Sequence, residues 1–303
     1  MRVKAIVLAV LAIPLAVIAV LALLYWYSPP LALNILNDLV PGEGGVRRVA
    51  EGVPFANGNA LDVWARPAPP NARRPVLVFF YGGAWVKGRR REYAFVAKAF
   101  AARGFVVVVP DYRKVPGVRF PAFVQDGAAA VRWTHDNIAR FGGDPGRIVL
   151  SGHSAGAYIA VMLALDRRYL AAAGVDPAVV RAVAGLCGPY DFYPFTSDRA
   201  VAALGNAPDP RQTQPISFAR ADAPPLLLVT GTADEEVRPR NAVSLAAREA
   251  ALGNRTTMLR EYKGLSHNDV IMAMSKPFRR RAPVLAESIA FFAAHGVGAG
   301  GEE

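Results

Sequence analysis

Two uninterrupted apolar runs, Val76-Leu77-Val78-Phe79-Phe80 and Phe105-Val106-Val107-Val108-Val109, constrain this chain more than any other feature. Neither run alternates, so neither has a polar face to turn to water. Such runs read as strands covered on both sides, as in a parallel sheet between two layers of helix. Segments of helical character separate and follow them, at Tyr93 to Arg103, Phe123 to Phe141, the Ala-rich stretch ending at Leu165, Asn241 to Leu252 and Ala282 to His295. Further strands are expected at Arg147 to Leu150, Ala182 to Leu186, Pro225 to Thr230 and Thr257 to Tyr262. Strand alternating with helix predicts an α/β fold with a mostly parallel central sheet and helices on both faces. Val46 to Pro54 and Ala60 to Arg66 alternate only in part, which suits edge strands.

The start of the chain obeys different rules. Ala5 to Trp26 carries no charge. A helix of about 22 residues rises roughly 33 Å, enough to cross a hydrocarbon core of about 30 Å. Arg2 and Lys4 precede the run and no Lys or Arg follows until Arg47, which predicts a cytoplasmic amino terminus and the remainder outside. Tyr25, Trp26 and Tyr27 suit the far interface. The competing reading is a cleaved signal peptide, with Val20-Leu21-Ala22 as an imperfect cleavage site and a secreted product. The domain plan is therefore residues 1–27 as membrane anchor or signal, 28–45 as a loosely packed linker, 46–295 as one catalytic domain with a small cap at 188–224, and 296–303 as a disordered tail.

Cys187 is the only cysteine, so no intrachain disulfide can form and stability must come from core burial. The net charge of +11 includes short runs at Arg89-Arg90-Arg91 and Arg279-Arg280-Arg281, read as solvated basic surface. No nucleic-acid motif accompanies them, and no metal-ligand cluster or nucleotide loop is apparent, so no cofactor, no metal and no nucleic-acid partner is expected. Oligomeric state leaves no mark in the sequence.

Chemistry enters at Arg147-Ile148-Val149-Leu150-Ser151-Gly152-His153-Ser154-Ala155-Gly156. A GxSxG pentapeptide is weak evidence alone, but here it joins a buried strand directly to a helix. A serine on such a turn is raised above the sheet edge in a backbone conformation most residues avoid. Gly152 and Gly156 let strand and helix approach, and the helix N-terminus favours negative charge developing beside the serine. Ser154 is the expected nucleophile, and His153 is read as a packing residue on the turn.

A serine hydroxyl needs a base. Among His135, His153, His267 and His295, only His267 follows a late strand in a loop, Gly264-Leu265-Ser266-His267. The base needs a carboxylate to fix its tautomer and steady the imidazolium. Asp234, in Gly231-Thr232-Ala233-Asp234, follows a strand and lies between Ser154 and His267 in chain order, the order that accompanies a serine on such a strand-to-helix turn. Asp191 also follows a strand and is the main rival, with Glu235 and Glu236 as neighbours that could be mistaken for the acid. All three chosen residues then sit at the carboxyl ends of parallel strands. Attack on an acyl carbon also needs donors for an oxyanion. The strand ending in Phe80-Tyr81-Gly82-Gly83-Ala84-Trp85 offers the amides of Gly83 and Ala84, which would join that of Ala155.

With these pieces in order, the chain resembles the hormone-sensitive-lipase-like branch of the α/β-hydrolase carboxylesterases, in particular bacterial esterases with kynurenine-formamidase-like and prenylcysteine-methylesterase-like members. The resemblance spans Val46 to Ala294. It rests on YGGAW at Tyr81 to Trp85, PDYR at Pro110 to Arg113, GGDPGRIVLSGHSAG at Gly142 to Gly156, GPYD at Gly188 to Asp191, GTADEEV at Gly231 to Val237 and GLSH at Gly264 to His267. It implies an α/β-hydrolase fold and two-step acyl transfer from an ester to water. Tyr81 stands where the branch often has histidine, and Ala84 replaces a third glycine; Tyr81 is expected to brace the loop by a hydrogen bond. Asp111 and Arg113 are expected to pair with each other. Trp85, Tyr190 and Phe192 are expected to contact substrate, with Phe192, Tyr193 and Phe195 in a cap that suits short or medium acyl esters. Two other readings stay open: a peptidase or amidase with the same triad, and a membrane-tethered binding module on an inactive hydrolase fold.

Overall fold

The computed structural model describes residues 28–69 and 71–298. The expected membrane helix within residues 1–27 lies outside them; among the described residues, no helix is long and apolar enough to cross a membrane. Eight strands form one sheet: β1 (Arg47–Ala56), β2 (Asn59–Ala65), β3 (Arg74–Phe80), β4 (Val106–Pro110), β5 (Gly143–His153), β6 (Val180–Leu186), β7 (Leu226–Gly231) and β8 (Met258–Tyr262). Their order is β1-β2-β4-β3-β5-β6-β7-β8. β2 runs antiparallel to both β1 and β4, and every other pairing is parallel. The partly alternating segments therefore became the antiparallel edge, and the continuous apolar runs became the buried centre.

Successive residues of a strand face opposite sides of the sheet, and β3 shows what each side meets. Phe80 lies on the side of α3 (Ala122–Asn137) and α4 (Ala155–Leu165), where a Cβ on Gly127 would touch Ile159, Leu163 and Phe80. Phe79 turns the other way, toward Tyr93 at the start of α2 (Ala94–Ala101). Phe100 of α2 meets Phe292 of α9 (Val284–Ala294), and Phe292 also touches Phe105. Every residue of α4 is buried, consistent with its lack of a polar stripe.

Two expectations about the ends of the domain are corrected. The stretch 28–45, expected as a loose linker, carries α1 (Pro29–Leu39). Ser28 caps it, accepting the Leu31 amide, and proline occupies the first turn, where its missing N–H costs nothing. Asn37 then ties α1 to a distant loop: its Oδ1 accepts the Lys276 amide at 2.8 Å, and its Nδ2 donates to Glu43 at 3.1 Å. Arg279 closes the knot with Glu43 at 2.7 Å. At the other end, the tail expected to be disordered from Gly296 is packed as far as Gly298. Val297 is buried, and the Gly298 carbonyl accepts a hydrogen bond from Arg147.

The register brings five strand ends level. Phe80 pairs with Gly152, His153 with Leu186, Leu186 with Val229, and Gly231 with Tyr262. The loops leaving β3, β5, β7 and β8 thus emerge along one edge. Over it lies the 188–224 segment, which contains α6 (Asp198–Leu204) and two short 3₁₀ turns.

Candidate active site

Ser154 sits at the junction of β5 and α4 with φ 55° and ψ −123°. The turn demands that conformation because the chain must reverse from strand to helix with almost no space. A Cβ on Gly156 would lie 2.0 Å from the Phe80 carbonyl oxygen, and one on Gly152 would lie 2.4 Å from the Gly156 carbonyl carbon. Glycine is the one residue that fits either position. The Ser154 amide donates to the Leu186 carbonyl at 2.9 Å, anchoring the turn to the neighbouring strand. Its hydroxyl caps no helix amide and instead lines a cleft with Ala84, Trp85, Ala155 and Phe192.

The loop after β3 presses on this turn: a Cβ on Gly82 would come 3.2 Å from Ser154 Cβ. Gly83 takes φ 134°, and Ala84 and Trp85 take φ 51° and 59°. The Gly83 carbonyl accepts the amides of both Val86 and Lys87 at 3.0 Å, which holds the loop curled. Among the described residues, the amides of Gly83, Ala84 and Ala155 donate to no protein acceptor. Ala84 and Ala155 line the cleft with Ser154 and Gly83 adjoins them, so open amides on the two bordering loops can receive an oxyanion. Beneath the loop, Tyr81 donates from its hydroxyl to Asp111 at 2.8 Å, the brace expected of it. Asp111 does not pair with Arg113, however. It is held by Arg90, which also bonds the buried Asp62, while Arg113 grips Asp126 of α3 at 2.8 Å. The buried Asp126 has its carboxylate turned back toward Arg113, so it captures that cation.

Asp234 and His267 meet at the far side. The loops after β7 and β8 are zipped together by Ala233 N–H to the Leu265 carbonyl (3.0 Å) and Gly264 N–H to Thr232 Oγ1 (2.9 Å). His267 Nδ1–H donates to Asp234 Oδ2 at 2.8 Å, and the two residues are 5% and 3% exposed. Asp234 Oδ1 accepts the amides of Glu236 and Val237 at 3.0 and 2.8 Å. His267 opens α8 (His267–Met272), whose N-terminus is fixed by a reciprocal box between Ser266 and Asp269. The ring packs 4.6 Å, centroid to centroid, from that of His153, the residue before Ser154. Among the described residues no hydrogen bond joins the Ser154 hydroxyl to His267; such contacts commonly tighten only on substrate binding.

The remaining candidates go elsewhere. His135 is exposed beside Asp136, and His295 bonds the Phe291 carbonyl. Asp191 is bound through its backbone amide to Asn241 Oδ1, and its carboxylate meets no histidine among the described residues. Glu235 and Glu236 line the rim of the cleft. Of the three expected substrate contacts, Trp85 and Phe192 line the cleft, their rings 6.3 Å apart. Tyr190 does not: it is wholly buried against Gly185 and Gly188, with its amide on Asn241. The GPYD turn needs a filler beneath it, and the small Gly185 and Gly188 leave space for that ring. Asn241 receives both the Tyr190 and Asp191 amides, a role the sequence does not signal, since nothing there distinguishes it from any other helix-start asparagine.

His153, Cys187 and His267 each place one possible ligand atom within 4.8 Å of the others. His267 Nδ1 is engaged with Asp234 and His153 Nε2 with the His267 carbonyl. Burial and the Asp234 carboxylate push the Cys187 thiol well above its ordinary range. The trio packs around the Asp234–His267 hydrogen bond.

A sequence-family model described as BD-FAE matches residues 61–248. Esterase LipC of Mycobacterium tuberculosis is 33% identical over 68% of this chain and 56% of its own length. Isoprenylcysteine alpha-carbonyl methylesterase ICME of Arabidopsis thaliana is 27% identical over 71% of this chain and 55% of its own. The chain thus spans just over half the length of the curated relatives it matches. Among solved structures, esterase 2 of Thermogutta terrifontis superposes with a TM-score of 0.70 at 24% identity, covering 86% of this chain and 98% of that one. That likeness establishes the fold, an α/β-hydrolase.

Proposed function

The chain belongs to the BD-FAE family, and from that premise we propose that it is a serine hydrolase that cleaves carboxylic esters through an acyl-enzyme on Ser154. The observation that carries the reading is the sealed Asp234–His267 pair, 2.8 Å from Oδ2 to Nδ1, beside a strained serine turn. The esterase names of the relatives point the same way.

Ser154 Oγ attacks the ester carbonyl while His267 Nε2 takes its proton. Asp234 keeps the Nδ1–H tautomer in place and steadies the imidazolium. The carbonyl oxygen becomes an oxyanion facing the amides of Gly83, Ala84 and Ala155, where one such donor is worth roughly 2.7–4 kcal/mol. Collapse expels the alcohol, protonated by His267. Water, activated by the same imidazole, then releases the acid and restores Ser154. Trp85 and Phe192 give the cleft an aromatic wall suited to short or medium acyl groups.

In the same proposal, residues 1–27 anchor the protein in a membrane with the catalytic domain outside the cytoplasm, or direct its secretion if cleaved. The uncharged run from Ala5 to Trp26, preceded by Arg2 and Lys4, supports this. An amidase would use the same residues. The deciding experiment sets a panel of p-nitrophenyl and alkyl esters against aminoacyl amides, with Ser154→Ala and fluorophosphonate labelling alongside. Ester turnover and labelling that both vanish in Ser154→Ala are the expected result. Turnover retained in that variant overturns the assignment, and faster amide cleavage replaces esterase by amidase.

A further inference from the structure

The ring nearest the proposed base belongs to His153, and the mechanism above does not use it. It is 3% exposed and wedged between two parts of the site. On one side, its Nδ1 would stand 3.0 Å from a Cβ on Gly82, in the loop that carries the oxyanion donors. On the other, its Nε2 lies 3.1 Å from the backbone carbonyl of His267, across 114 residues of sequence. A carbonyl can only accept, so Nε2 carries the proton and donates. That leaves Nδ1 a bare lone pair, and among the described residues it has no partner. A phenylalanine ring would fill the same space without a buried, unsatisfied nitrogen. The arrangement therefore makes sense if the Nε2–H bond is what the position needs.

Burial, with His267 close by, drives the His153 imidazole well below its ordinary value. The ring therefore stays neutral where His267 must become an imidazolium. A neutral donor fixes the base without competing with it for a proton.

Resting on the reading of His267 as base, we infer that His153 is a positioning residue: its Nε2–H holds the His267 backbone, and so the imidazole, at the height of Ser154 Oγ. Asp234 sets which nitrogen of His267 bears hydrogen. His153 sets where the ring stands. Because His153 adjoins the nucleophile in the chain, nucleophile and base are tied to one rigid turn.

Three replacements in the full chain separate this role from simple filling of space. His153→Gln reaches the Nε2 position with an amide N–H, His153→Asn reaches only the Nδ1 position, and His153→Phe keeps the ring without a donor. With p-nitrophenyl butyrate, Phe and Asn are expected to lower kcat about 30- to 100-fold with KM changed by about twofold or less, because small misplacements of a catalytic group cost on that order. Gln is expected to restore about tenfold or more. In a His267→Ala background, His153→Phe is expected to cost no more than about twofold further, since its effect passes through the missing base. Melting temperatures confirm that each variant is folded at assay temperature, and Gln keeps the test alive if Phe does not fold. Phe within about threefold of the parent kcat, Gln no better than Asn, or a further large loss in the His267→Ala background would each overturn the inference. Full turnover in His267→Ala alone would instead overturn the triad.

Discussion

Asp234 and His267 hold each other across two neighbouring strand ends, and no oxygen of the carboxylate is idle. Oδ2 takes the imidazole at 2.8 Å while Oδ1 takes two backbone amides. The carboxylate is thus locked by its own loop as well as by the imidazole, and the lock requires an acceptor at both oxygens.

Asp234→Asn breaks that requirement with minimal change of shape. Its amide group must either face the two backbone donors or face the imidazole and force the other tautomer. The expected loss is about 10⁴-fold in kcat at neutral pH, with fluorophosphonate labelling slowed in parallel. Steady-state kinetics on a p-nitrophenyl ester measures it.

Ser154→Gly separates stability from activity. The φ of 55° is one that glycine adopts freely and serine does not. Turnover should vanish while stability rises by about 1 kcal/mol, a melting-temperature gain of roughly 2–4 °C for a domain of this size. An unchanged or lower melting temperature would mean that the turn stores no strain.

Gly156→Ala should act in the opposite sense. The added methyl would lie 2.0 Å from the Phe80 carbonyl oxygen and 2.6 Å from that of Tyr81, both backbone atoms with nowhere to retreat. Forcing helix α4 away from β3 is expected to cost about 3 kcal/mol and to displace the Ala155 amide from the oxyanion position. Urea unfolding and kcat should fall together.

Acid should destabilise the protein partly through His153. Its folded-state affinity for a proton is depressed by burial, so below the ordinary imidazole value of 6.5 the unfolded chain binds a proton that the folded one refuses. The stabilisation is complete above that value and is lost as pH falls, by up to about 1.4 kcal/mol per pH unit. The ring faces His267 and Cys187, with Asp234 behind them. Urea midpoints at about pH 7.5 and about pH 5.5 should therefore diverge less in His153→Gln than in the parent protein. An identical divergence would show that some other group carries the acid response.

Much of this architecture can be read from local pattern. The runs at Val76 and Phe105 have no polar face, so their place in the sheet centre follows from solvation alone. Ser154 stands out because a buried strand, two glycines and a helix meet there. Other features depend on which distant partner wins. Asp111 and Arg113 are close in sequence, yet Arg90 and Asp126 capture them because the loop points the two side chains in different directions. Tyr190 looks like a cleft aromatic until Gly185 and Gly188 open a hole for it below. The His153 bond to His267 leaves no trace in either neighbourhood. Two helix starts do carry local signals: Ser28 before two prolines starts α1, and Ser266 with Asp269 starts α8.

The knot of Asn37, Glu43, Lys276 and Arg279 has a mechanical consequence. A slack hinge at the entrance to the body would let the cleft tumble with respect to whatever carries Ser28. Bolted by α1 to the loop that follows α8, the chain from Ser28 onward is instead part of the body, tied close to the end of the helix that His267 begins.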